Sequence, residues 1–86
     1  MSITDPDLVS ELSLLLDKRI LDASRQGKRP TYAVIPKSLF EKIVLWMVTS
    51  GNLDDQPTYG SPAGPMRLRY YVDQPELTSI GFGKAV

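Results

Sequence analysis

Eighty-six residues are one domain's worth of chain, and 42% apolar against 23% charged residues is the balance of an ordinary globular core. Ten basic and ten acidic side chains leave no net charge, which weighs against strong sequence-independent binding to nucleic acid. With neither cysteine nor histidine, a disulfide framework, the common zinc sites and the Ser-His-Asp and Cys-His nucleophiles are excluded, so we expect a non-enzymatic protein with no cofactor.

Thr4, Asp5, Pro6 and Asp7 read as a helix start: an oxygen-bearing cap, a proline in the first turn and acids at the positive end of the macrodipole. The spacing predicts a helix over 6–25 that ends before Gly27. Leu8, Val9, Leu12, Leu15, Leu16 and Ile20 share one face at about 100° per residue, a core stripe. Leu14 and Leu21, seven apart, form a second apolar line on the opposite side. A helix with two apolar sides either lies between two layers or offers the extra line to a partner, although singly exposed leucines are also common.

Gln26 to Pro30 is a short connection, and Pro30 biases Arg29 toward extended backbone. Tyr32, Ala33, Val34 and Ile35 form a β-prone run that Pro36 should stop. Ser38, three residues before Glu41, matches a reciprocal capping box and predicts a helix over 39–50, with Gly51 as the left-handed residue after it. Leu39, Phe40, Ile43, Trp46 and Met47 fall on one face, while Leu45 and Val48 stray to the polar side. Residues 43–48 are six apolar residues in a row and would also suit a strand buried on both faces. Length and the capping pattern favour the helix.

Residues 52–65, NLDDQPTYGSPAGP, are rich in turn formers and read as a long flexible loop of the kind that often carries function. Residues 66–73 alternate, with Met66, Leu68, Tyr70 and Val72 on one face and Arg67, Arg69, Tyr71 and Asp73 on the other. After a turn at 73–76, residues 77–82 read as a last strand weakened by Gly81. The expected fold class is α+β: two helices packed on one face of a small, mostly antiparallel three-stranded sheet, in the order helix-strand-helix-strand-strand. The last two strands are expected to form a hairpin. Residues 1–86 make a single domain, and no apolar run is long enough to span a membrane.

Charge is unevenly spread. Residues 1–24 carry five acids and two bases, 25–42 five bases and one acid, and 43–86 four acids and three bases. Arg67, Arg69 and Tyr71 on one strand face, flanked by Arg25, Lys28 and Arg29, could offer phosphate contacts and a stacking ring to single-stranded nucleic acid. The same residues also suit a solvated face with cross-strand ion pairs. Asp54 and Asp55 lack calcium-loop spacing, and YGSPAGP lacks the lysine and serine of a phosphate loop. Ser38 and Lys42, four apart, are better explained by the helix cap than by serine-lysine catalysis.

The succession YAVIPKSLFEKIVLWM, YGSPAGPMRLRYYVD and IGFGKAV resembles the axial-domain unit of tailed-phage major capsid proteins. There a strand ending in proline introduces a helix, a glycine-containing turn introduces a strand, and a final strand ends near glycine. The resemblance covers 31–86, about two thirds of the chain. Without the long spine helix and extended arm of a capsid subunit, it implies a small structural or accessory protein containing a similar unit, and it transfers no functional residue. The expectation is therefore a protein–protein interaction or assembly module, cytoplasmic or in a virion, that binds itself or another protein without a membrane. Its contacts would come from Leu14, Leu21, Leu45, Val48 and, in the long loop, Tyr59. The alternative is a small nucleic-acid-binding regulator.

Overall fold

The first helix, α1 (Pro6–Arg25), forms where its end signals say it should. The Asp5 carboxylate accepts the amides of Asp7 at 2.9 Å and Leu8 at 3.3 Å, occupying two of the donors that a helix start leaves open. At the other end Gly27, at φ 74°, lets the chain turn back. The Lys28 amide then donates to the Ala23 carbonyl and the Gly27 amide to that of Ser24, both at 3.0 Å, a complete Schellman closure. The computed structural model describes residues 3–51 and 56–82.

After β1 (Pro30–Val34) comes α2 (Lys37–Thr49), so the apolar run 43–48 is helical. This helix starts earlier than its sequence suggests. Pro36 is the cap residue, no side chain caps the helix, and the Lys37 amide donates to the Pro75 carbonyl at 2.7 Å. The expected Ser38–Glu41 capping box is therefore not formed: a carbonyl thirty-eight residues away takes the first amide, and Ser38 lies inside the first turn. Gly51 does take the left-handed conformation, at φ 75°.

Three strands complete the fold: β2 (Thr58–Ser61), β3 (Gly64–Arg69) and β4 (Ser79–Phe82). The class is α+β as expected, but the sheet has four strands, in the order β2-β3-β1-β4, and is mixed. β1 runs parallel to β3, pairing Tyr32 with Arg67 and Val34 with Arg69, and antiparallel to β4, pairing Tyr32 with Gly81. Two expectations are corrected. The last two strands do not form a hairpin, because β1 is inserted between them and residues 70–78 cross from one side of it to the other. The stretch 52–65 is not all loop, because β2 pairs antiparallel with β3 through a tight turn at Ser61–Gly64. In that turn Ser61 Oγ accepts the Ala63 amide and donates to the Gly64 carbonyl, and Gly64 sits at φ 112°. Of the expected loop, residues 52–55 lie outside the described ones.

The core lies between the helices and one face of the sheet. Leu8, Leu12, Leu16 and Ile20 of α1 and Leu39, Ile43 and Met47 of α2 meet Ala33, Tyr59, Met66 and Leu68 in one cluster. Phe40 and Trp46 are partly buried against it. The result is two layers, each with an outer surface: the solvent side of the helix pair and the solvent side of the sheet.

Candidate protein interface

Most of the exposed large apolar residues among those described lie on the two helices, the others being Tyr71 and Val72 after β3 and Phe82 in β4. Leu14 is 85% exposed and Leu45 66%, and Leu21, Val44 and Val48 are also exposed. In each case the cause is angular. Leu14 stands six residues from Leu8, about 240° around the helix from that member of the buried stripe, and Leu21 follows it two turns later on the same line. On α2, Leu45 points away from Ile43 and Met47, while Val48 and Val44 lie progressively further round the helix.

A shallow groove separates the two helices, and Lys42 spans it. Its ammonium lies 3.4 Å from Glu11 Oε1. Leu14, Leu15 and Glu11 from α1 line one part of the groove with Ser38, Leu39 and Lys42 from α2. Further along, Leu45, Trp46 and Thr49 form a second depression that also borders on Lys42 and Asp7. Leu14 and Leu45 thus flank the Glu11–Lys42 pair, which the sequence could not foretell because the two helices meet only in the tertiary fold. An exposed ion pair of this kind adds little stability, about 0–1 kcal/mol.

Tyr59 is not part of this surface, contrary to expectation. It is only 3% exposed, because β2 turns its ring into the core, where the hydroxyl donates to Asp17 Oδ1 at 2.5 Å and lies 3.0 Å from Ser13 Oγ. Burial, reinforced by the hydrogen bond to the Asp17 carboxylate, raises its pKa, and the Ser13 contact opposes this. Its role is to tie β2 to α1. Val44 belongs with the exposed set and was hidden in the sequence by the uniform run 43–48.

The basic residues fall in separate places. Arg67 and Arg69 lie on the outer sheet face, with the Arg69 guanidinium 4.5 Å from the centre of the Tyr32 ring. Tyr71, partly exposed, follows the end of β3 and bridges to Gln74. Arg29 reaches the start of β3, with one guanidinium nitrogen 3.3 Å from where a Cβ on Gly64 would stand. Arg25 pairs with Asp22 at 3.7 Å, and the Lys28 ammonium lies 5.6 Å over the Phe82 ring. Only Arg67 and Arg69 share one strand face.

Among the described residues no three histidine, cysteine or acidic side chains come together to hold a metal ion, and Asp54 and Asp55 lie outside those residues. Ser38 and Lys42 line the same groove, but the ammonium is directed to Glu11. No helix among the described residues is long and apolar enough to cross a membrane. In comparisons with known proteins, no family model, no curated protein and no solved structure matches this chain.

Proposed function

We propose that this protein is a non-enzymatic interaction and assembly module that self-associates through the outer side of its helix pair. The observation that carries this reading is that Leu14 and Leu45, both mostly exposed, each border one of two interhelical depressions that share Lys42. Large apolar side chains grouped on one surface and rimmed by charges are what a protein contact uses, since their removal from water contributes about 25 cal/mol per Å². The likeness of residues 31–86 to a capsid axial-domain unit supports a role as a phage or virion accessory protein. Light scattering over a range of concentrations tests the reading. A defined oligomer that survives high salt is expected, and Leu14→Glu with Leu21→Glu should reduce it to monomer while circular dichroism stays unchanged. A protein that is monomeric at every concentration would falsify self-association.

A second reading rests on the outer sheet face. Thr58, Arg67, Tyr32 and Gly81 are neighbours in one row across all four strands, and the strands contain two arginines and no acid. Such a face suits the phosphates of single-stranded nucleic acid. Titration of a labelled oligonucleotide should then weaken steeply with salt, and unchanged affinity in the Arg67→Ala, Arg69→Ala double variant would remove this reading.

A further inference from the structure

The exposed side of α1 is more ordered than a pair of stray leucines. Asp7, Glu11, Leu14, Lys18, Leu21 and Arg25 recur at alternating intervals of four and three residues. At about 100° per residue they lie within one stripe some 80° wide, opposite the buried stripe. This is the seam spacing of two helices packed side by side. Along the seam the signs are sorted: two acids in the N-terminal half, two bases in the C-terminal half, and the leucines between and beside the bases.

That sorting suits a second copy of the helix in one direction only. A second copy of α1 laid parallel would set Asp7 on Asp7, Glu11 on Glu11, Lys18 on Lys18 and Arg25 on Arg25, four like-charge contacts. Laid antiparallel, the acidic half of one copy meets the basic half of the other. We infer that the self-associating surface proposed above is closed by a second copy of this chain whose α1 lies antiparallel on the first, with Leu14 of each copy against Leu21 of the other.

In this register Glu11 lies within one residue of Arg25 of the second copy, and by the two-fold the same contact occurs twice, as an isologous interface requires. Lys18 falls at the axis, where its long stem lets the two ammonium groups diverge into water. The seam from Asp7 to Arg25 is about 27 Å long at 1.5 Å per residue, and Leu45, beyond the Glu11–Lys42 pair, widens the contact onto α2. A stable dimer takes about 800 Å² from each partner, roughly a seventh of the 5464 Å² accessible surface.

The inference rests on the self-association reading but can fail separately from it. Because the chain has no cysteine, Leu14→Cys and Leu21→Cys each introduce a unique thiol. A disulfide needs Cα atoms within about 7 Å, whereas seven residues along a helix are about 10.5 Å. A mixture of the two variants under mild oxidation should therefore give the 14–21 disulfide, and Leu14→Cys alone should stay largely unlinked. Arg25→Glu should weaken the dimer about tenfold. An oligomer in which Leu14→Cys links readily to itself would overturn the antiparallel register and leave self-association standing. An oligomer in which neither thiol links would remove α1 from the interface. Wild-type protein that is monomeric throughout would take both readings down together.

Discussion

The two outer surfaces of the sandwich dispose of apolar bulk in opposite ways. On the sheet side the Tyr32 ring lies flat over Gly81, so close that a Cβ added there would stand 1.9 Å from Cζ, and the Arg69 guanidinium packs over the ring. The aromatic surface is used up inside the fold, a glycine in one strand making room for the ring of its neighbour. On the helical side Leu14 and Leu45 have no such cover. A chain of this size can therefore cover a large side chain at its surface, as it does for Tyr32 but not for Leu14 or Leu45.

Among substitutions, the largest effect should come from crossing α1 from its inner to its outer face. Leu12, fully buried, should cost about 3 kcal/mol when changed to alanine, the usual loss for a core leucine. Leu14→Ala should stay within about 0.5 kcal/mol in urea unfolding at concentrations too low for association. Equal losses at the two positions would mean that the outer leucine is structural.

Gly81→Ala comes next. The new methyl must push the Tyr32 ring aside, at about 1–3 kcal/mol, and much less in a Tyr32→Ala background. The same cost in both backgrounds would show that the glycine serves something other than the ring.

Tyr59→Phe should cost less at neutral pH than the changes at Leu12 and Gly81, about 1 kcal/mol for the hydrogen bonds to Asp17 and Ser13. Its pH dependence is more telling. Because the phenol pKa is raised in the fold, the folded state keeps a proton that the unfolded chain loses near its ordinary value of about 10. The stability from this protonated group is therefore complete below about pH 10 and is lost as pH rises above it, through the higher folded value. Thermal unfolding across that range should show this extra alkaline loss in the wild type only, and parallel curves for the two proteins would refute the raised phenol pKa, to which burial contributes most and the Asp17 hydrogen bond next.

Much of the helical layer was legible in the sequence. Asp5 and Pro6 start α1, Gly27 ends it, and the period of Leu8, Leu12, Leu16 and Ile20 assigns its inner face, all within a few residues of the chain. The outer leucines follow from the same period. Strand pairing was less legible, since TYGS reads as part of a turn-rich loop until β3 is beside it to accept its hydrogen bonds. Tyr59 was misplaced for the same reason: without β2, nothing local turns its ring inward.

Hydrogen bonds and side-chain periods spanning five residues or fewer made α1, the apolar stripe of α2 and the left-handed glycines after both helices legible in the chain itself. The rest was set by contacts between residues far apart in the chain. β1 enters the middle of the sheet parallel to β3, the Pro75 carbonyl fixes the start of α2, and Glu11 meets Lys42 across the groove. These contacts link residues thirty or more apart, where many pairings compete and only the packed core selects among them.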